Sequence, residues 1–399
     1  MDLRRAGCAA TRTSGSEARA GETGRSRGRY RAPVRPYDRL RAGATGQVLG
    51  HRVAAPSTLG TFLRSFTWGS ARQLDYVAGQ ALRRAWQAGA GPGPWALTID
   101  VDSTHCQTYG LAKQGAVGID RHGERGYHPL VASVAGAGDV LHTRLREGVA
   151  NSGRGAGSFV TETITRARRA GATGPITLRA DSGFYNHKVI DACRKAGVAC
   201  SVTIKLTKAV HKVIAQIPEQ SWTPIPYWLD GGADVAETSY RPFGRKGRVM
   251  RLIVRRVRPT PGSQLALFCD YDYHGFVTDR EGETLALEAD HRRHAEVENT
   301  IRDLKYGVGL NHLPSGKFAA NAAWLTLNVL AHNLARWTSR IGLGETLITT
   351  KTLRVRYLDL PGRLTRSARR WHLHLPTRWP RASRFLLALD RLRCVPFPT

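Results

Sequence analysis

The chain has 399 residues, of which 60 are Lys or Arg and 31 Asp or Glu, a formal net charge of +29. That length allows two or three domains, and 41% hydrophobic content indicates a globular protein with a large core. No apolar run reaches the roughly 20 residues of a membrane span, the opening MDLRRAGCAATRTSGSEARAGE lacks the apolar core of a secretion signal, and the six cysteines are scattered without zinc-ligand or redox spacing.

These bounds lead to the expectation of a cytoplasmic protein with no membrane partner, whose charge selects a polyanion such as nucleic acid. Fifty of the sixty basic residues are Arg, which suits bidentate phosphate contacts; a GC-rich genome would bias the codons the same way.

Residues 1–36 are rich in Arg, Gly, Ser and Thr, with almost no large apolar side chains, and read as a disordered basic arm. Residues 37–94 form a helical region: Ser57 or Thr58 caps a helix carrying Leu59, Phe62 and Phe66, and a second helix from Ser70 carries Leu74, Val77, Leu82 and Trp86. WALTIDVD, residues 95–102, alternates as a strand with Leu97, Ile99 and Val101 on one face and Thr98, Asp100 and Asp102 on the other. Strands follow at 127–135 and 139–145, joined by a Gly-Ala-Gly turn, then a helix at 158–169 and a strand at 175–181 ending in Asp181. A helix at 186–196 and a strand at 200–206 complete a mixed α/β layer over 95–206.

From 207 to 283 the pattern is β-like and turn-rich, with strands at 235–240, 249–257 and 264–272. This segment interleaves Arg241, Arg245, Lys246, Arg248, Arg251, Arg255, Arg256 and Arg258 with Trp222, Tyr227, Trp228 and Tyr240. Such interleaving suits a strand or hairpin end of DNA; for any single Trp, aromatic core packing is the stronger reading. In HRRHAEVENTIRDLK, residues 291–305, a 3.6-residue period puts Val297, Ile301 and Leu304 on an apolar stripe and His291, His294, Glu298, Arg302 and Lys305 on a neighbouring face. A further helix at 322–337 is read with Leu327, Leu330, Leu334 and Trp337 as its buried stripe. The tail 351–399 carries twelve basic residues against Asp359 and Asp390, and is a second DNA-facing candidate.

Asp102 and Asp181 end strands, and Glu298 lies on a helix amid cations. Carboxylates about 4 Å apart repel by about 4 kcal/mol at an effective dielectric of 20, so their convergence makes sense around divalent cations. Oxygen-only ligands favour Mg²⁺ or Mn²⁺, and two such ions roughly 3.5–4 Å apart serve in-line phosphoryl displacement. The competing reading is that Asp100 and Asp102 cap the turn into Ser103 and Thr104.

WALTIDVDSTH, LRADSGFY, HAEVENTIRDLKYG and AAWLTLNVLAHNLARW resemble the catalytic blocks of bacterial insertion-sequence DDE transposases of the family numbered thirteen-eighty, related to the piggyBac group. The similarity begins near Asp38. The resemblance implies an α/β, ribonuclease-H-like catalytic core, residues 95–206 and 284–340, interrupted by a β-rich insertion domain at 207–283; the segment 341–399 is expected, from its basic charge, to contact DNA. The resemblance also implies a metal-dependent transposase acting by cut-and-paste at terminal inverted repeats, with element ends and target DNA as partners, two Mg²⁺ ions (Mn²⁺ may substitute) as cofactor and a homodimer in the DNA complex. Carried over by position, the catalytic and metal-binding triad is Asp102, Asp181 and Glu298. Asp102 is preferred because similar transposases place the first aspartate directly before a small residue and Thr; Asp100 is the alternate. Lys305, Arg302, His294 and, in the insert, Arg251 are the expected phosphate contacts. The related signature Tyr-x2-Arg-x3-Glu-x6-Lys aligns with His291, His294, Glu298 and Lys305, with His in place of both Tyr and Arg. The abrupt start near Asp38 suggests a truncated or frameshifted copy. The alternative function is therefore a DNA-binding remnant that occupies element ends without cutting; a stand-alone nuclease of the same fold is a third.

Overall fold

The computed structural model describes residues 41, 45–109, 111–118, 123–226, 232–244, 247–260, 262, 271–346 and 348–396. The arm at 1–36, Tyr227, Trp228, Arg245, Lys246 and most of the strand expected at 264–272 lie outside the described residues. The chain divides into two compact units, 1–54 and 55–399. In the first, a short helix α1 (Thr45–Leu49) ends at Gly50, whose φ of 71° suits a residue without Cβ.

The second unit opens with α2 (Pro56–Arg64) and α3 (Trp68–Ala85). Thr67 and Ser70 form a reciprocal capping box, so α3 begins ahead of the expected Ser70. Then come β1 (Leu97–Ser103), the short pair β2 (Cys106–Gln107) and β3 (Gly126–Tyr127), β4 (Leu130–Val134), β5 (Val140–Arg144), α4 (Ala156–Ala170), β6 (Ile176–Ala180), α5 (His187–Lys195) and β7 (Ala199–Thr203). Next are α6 (Lys208–Ile214), β8 (Thr223–Ile225), β9 (Ala233–Tyr240), β10 (Met250–Val257), β11 (Asp272–Thr278), α7 (Thr284–Arg292) and α8 (Val297–Arg302). The chain closes with α9 (Phe318–Trp337), α10 (Thr350–Leu353), the hairpin β12 (Arg363–Ser367) and β13 (Arg370–His374), and α11 (Ala382–Arg393).

Nine strands form one sheet in the order β5-β4-β1-β6-β7-β11-β10-β9-β8. β1, β6 and β7 run parallel, and the remaining neighbours are antiparallel. A mixed sheet with flanking helices is the α/β architecture expected from the sequence. The β-rich segment after β7 continues the sheet, because β11 pairs with β7 through Phe276↔Thr203 and Thr278↔Ser201. On one sheet face, Leu97, Ile99 and Val101 of β1 pack with Phe159, Val160 and Ile164 of α4 in the largest buried cluster. Val131 and Val140 pack with Leu304, Leu325 and Val329 in a second.

The stripe expected on α9 is corrected in part, since Trp337 is buried as expected. Leu327 and Leu334 are 37% and 55% exposed, whereas Asn321, Asn328, His332, Asn333 and Arg336 are buried. The reason is the open edge of the sheet. Asn333 accepts from the Val140 amide at 2.8 Å and donates to the Val140 carbonyl at 2.8 Å, so its side-chain amide does for β5 what a neighbouring strand would. His332 likewise donates to the Gly138 carbonyl, at 2.9 Å. A buried polar side chain is tolerable where it finds partners, as Asn333 does on β5.

Beside this edge Asp139, 1% exposed, accepts from the indoles of Trp86 and Trp337 at 3.1 and 3.3 Å and pairs with Arg340 at 2.6 Å. One carboxylate thus ties the β4–β5 turn to the ends of α3 and α9. Asp139→Ala strands a guanidinium and two indoles, and should lower the unfolding free energy by about 3–5 kcal/mol. Urea denaturation measures this; a loss under about 1 kcal/mol would show that the contact is dispensable.

Candidate active site

Parallel β1, β6 and β7 bring their C-terminal ends to one edge of the sheet, the edge where open α/β sheets build sites. Asp102 is the penultimate residue of β1, Asp181 follows the last residue of β6, and Lys205 lies two residues past β7. α8 lies along β1 and β4, with Val297 and Ile301 buried and Glu298 exposed.

Period-2 alternation puts Asp100 and Asp102 on the same face of β1, yet their environments separate them. Asp100 is 1% exposed and lies directly across from Arg179 of β6. Arg179 grips it with two bonds, Nε to Oδ1 at 2.7 Å and Nη2 to Oδ2 at 2.9 Å. The third arm of the guanidinium reaches the carboxylate of Asp290 at 3.1 Å and its main-chain oxygen, and Arg280 pairs with the same carboxylate. Asp100, the alternate first aspartate, is therefore part of a buried charge chain that fastens α7 to the sheet.

Asp102 stays half-buried and has no cationic ion-pair partner among the described residues. Burial raises its pKa from 3.8 to about 6, and the nearby negative charges of Asp181 and Glu298 push in the same direction; the Ser103 amide and His294 oppose them. The three expected ligands thus share one electrostatic neighbourhood, although they come from three elements. Asp102 Oδ1 accepts from the Ser103 amide at 2.6 Å and Asp181 Oδ1 from the Gly183 amide at 3.1 Å. The turn-capping contact is therefore real, and it occupies one oxygen of each carboxylate. With the side chains turned this way, no three His, Cys, Asp or Glu groups among the described residues close on a common metal point. The donor chemistry fits a hard cation: the groups are carboxylate oxygens alone, and two of them add to the rise that burial imposes on Asp102.

The face expected on 291–305 is only partly formed. α7 ends at Arg292, one turn of tighter helix spans Arg293–Glu296, α8 follows, and a wider turn covers Asp303–Gly307. These changes of pitch rotate the residues out of a single row. His291 turns inward, stacked on Phe276 at 4.0 Å and bonded to Ser201 and Thr203 of β7 at 2.8 and 2.9 Å. Burial draws its pKa down to about 3, so it is a neutral packing residue and not a cation on the site face. His294 donates to the Val101 carbonyl at 3.2 Å, which sets its ring beside the end of β1. Arg302 is exposed on α8 and bonds Asn299 at 2.6 Å. Lys305 is half-buried, and its charge is felt by Cys106 in β2, a few residues beyond Asp102.

Arg251 does not join this group. Its Nε and Nη2 bond Glu237, Nη1 bonds the carbonyls of Arg280 and Gly282 at 3.1 and 2.9 Å, and Nη2 also bonds Thr284 at 3.2 Å. Every guanidinium hydrogen is engaged within the protein, which corrects the expectation of a phosphate contact. Arg256 behaves similarly: it pairs with Glu219 and Asp234 and lies over the rings of Trp222 and Tyr271 at 4.4 and 4.5 Å. For Arg256, Trp222 and Tyr271 the basic–aromatic contact is packing.

An open cleft of about 740 Å³ lies beside Asp181, lined by His128, Asn151, Arg154, Gly183, Asn186 and Lys205 among others. Its wall is the loop after β5, braced from beneath by buried Arg146, which bonds the carbonyls of His128, Asn151 and Arg154 at 2.9, 2.6 and 3.1 Å. Ser152 bonds Ser103 at 2.8 Å and so holds the loop to the end of β1. A Cβ at Gly183 would come within 2.8 Å of the Ser152 side chain, so glycine is what lets Asp181 and this loop approach. Residue type does not single out Arg154, Asn186 or Lys205. The signal available is position just past strands or at a turn after a strand-end aspartate.

Residues 37–396 match the family described as Transposase DDE domain group 1. No curated protein matches the chain. Among solved structures, that of the piggyBac transposase synaptic complex with hairpin DNA matches with a TM-score of 0.41 and 11% identity, over 66% of this chain and 51% of that one. The chain therefore aligns with about half the length of that structure.

The two aspartates of β1 should respond oppositely to neutralisation. Asp100→Asn breaks a buried ion pair and should cost about 3 kcal/mol or more. A folded-state pKa raised to about 6 means that protonation of Asp102 stabilises the fold, a contribution present below pH 4 and lost as pH rises through about 6. In EDTA, Asp102→Asn should therefore melt no lower than wild type at pH 7.5, and the two curves should converge near pH 4. Equal destabilisation by both substitutions at pH 7.5 would place Asp102 in a structural role as well.

Proposed function

This chain belongs to the transposase DDE domain family, group 1, and we propose that it is a DNA transposase that cuts the ends of its own element and joins them to target DNA by metal-dependent phosphoryl transfer. The observation carrying this reading is the shared electrostatic site of Asp102, Asp181 and Glu298, three carboxylates from two parallel strands and a helix. In a chain of net charge +29, such acidic crowding at a sheet edge has no structural benefit, whereas divalent cations would relieve it.

Asp102, Asp181 and Glu298 would hold Mg²⁺ or Mn²⁺, which when bound activates the attacking water or 3′-hydroxyl and neutralises charge on the leaving oxygen. The protein's own groups do the positioning. Arg154 and Lys205 flank the cleft beside Asp181, where they would draw in the phosphates of the strand to be cut. Arg302, exposed one turn beyond Glu298, and Lys305, near the end of β1, would steady the backbone on the other side. His294, anchored to the Val101 carbonyl, moderates the negative charge at Asp102.

Cleavage of a labelled duplex bearing the element's own end tests the proposal. Wild type should nick at the end in Mg²⁺ or Mn²⁺, and Asp181→Ala should bind with similar affinity without cutting, since it removes a ligand and no phosphate contact. Binding by both proteins with cutting by neither would favour the remnant; cutting without end preference or strand joining would favour a stand-alone nuclease. Arg154→Ala and Lys205→Ala should each reduce the slope of log affinity against log salt by about one unit, and an unchanged slope would remove that residue from the DNA path.

The metal has a readout of its own. At pH 7.5 Mg²⁺ should raise the melting temperature of wild type and not of Asp102→Asn. The rise should shrink at pH 5, where Asp102 holds its proton. A rise of the same size in both proteins would mean that Mg²⁺ acts elsewhere.

A further inference from the structure

Between Asp359 and Asp390 the chain carries seven arginines and no carboxylate. Part of this stretch is the β12–β13 hairpin, in which no residue is buried and from which no side chain joins a buried cluster. A two-stranded hairpin is at best marginally stable alone in water. Its two-residue turn is also strained: Ala368 and Arg369 have φ of 45° and 63°, values that favour Gly or Asn. A solvated, strained, cationic ribbon of this kind is explained by a partner.

The register defines what the ribbon offers. Arg363 faces His374, Thr365 faces His372 and Ser367 faces Arg370, so these six side chains share one face. The opposite face carries Leu364, Leu373 and Trp371, with Arg366 over the Trp371 ring at 5.5 Å. One face is therefore wholly polar and basic. Thr365 and His374 bond each other at 2.8 Å, which leaves His372 the outward group at its centre. Neither Arg363 nor Arg370 has a carboxylate partner among the described residues.

A two-stranded ribbon fits the major groove of B-DNA, which is about 12 Å wide. Arg363 and Arg370 stand at opposite ends of the polar face. Four strand steps of about 3.3 Å separate them, or roughly 13 Å, close to the span between the phosphates that border the groove. We infer that β12–β13 is a duplex-binding ribbon that enters the major groove polar face first. Arg363 and Arg370 take the bordering phosphates, and Thr365 and His372 face base edges. The choice of DNA as partner rests on the transposase reading; the geometry of the contact does not.

Full-length protein in EDTA, titrated against a mixed-sequence 30-bp duplex and a single strand of equal length across a salt series, tests the inference by fluorescence anisotropy. The pair R363Q/R370Q should bind the duplex at least tenfold more weakly and reduce the salt slope by about two units. R363K/R370K should restore the slope, and R366Q, on the other face, should stay within twofold of wild type. The inference is overturned if R363Q/R370Q binds as wild type does, if R366Q loses as much, or if single-strand binding falls equally. The same proteins assayed for Mg²⁺-dependent nicking keep the two readings apart. Nicking by wild type with unaltered binding by the hairpin variants would reject the ribbon alone. Weakened duplex binding by those variants, with no nicking by wild type, would reject the cutting enzyme alone.

Discussion

The buried pair between Asp100 and Arg179 is the contact on which the proposed site depends. It joins two neighbouring parallel strands from side chain to side chain, and through Asp290 and Arg280 it extends to the helix preceding Glu298. A guanidinium at 1% exposure is costly to bury, and the cost is offset only because its donors meet two carboxylates and a carbonyl in fixed geometry. With α7 held down in this way, the chain enters α8 close to the end of β1, and Glu298 comes within electrostatic reach of Asp102.

Two residues on the same face of one strand thus have different fates. Asp100 lies between neighbouring strands, where Arg179 neutralises it. Asp102 lies at the strand end, where its acidic neighbours Asp181 and Glu298 leave a surplus of negative charge. That contrast fits the proposed site: one carboxylate is ion-paired for the fold, the next is left without a cationic ion-pair partner among the described residues, beside a cleft.

The basic residues divide along the same line. Arg146, Arg251, Arg256 and Arg340 serve as internal braces for loops, strand edges and helix ends. The net charge of +29 therefore overstates what faces a polyanion. Arg363 and Arg370 on the β12–β13 ribbon and Arg154 at the rim of the cleft are among the arginines left to solvent.

The strands and helices of 95–206 were legible in the sequence because period-2 and 3.6-residue patterns are local, and so were the strand-end positions of Asp102 and Asp181. The sequence alone also determined the basic character of the chain and the apolar stripe of Val297, Ile301 and Leu304, all buried. The tertiary structure decided the rest. Which aspartate of β1 is spent on an ion pair depends on Arg179, 79 residues away. Which face of α9 is buried depends on the unpaired edge of β5, so that Asn333 and His332 displace Leu327 and Leu334 from the interior. His291 left the row it was expected to share with Glu298 because a tighter turn at Arg293–Glu296 intervenes and β7 supplies hydroxyl partners. In each case a hydrogen-bonding demand set by a distant segment outweighs a local preference, and a one-dimensional pattern carries no record of that demand.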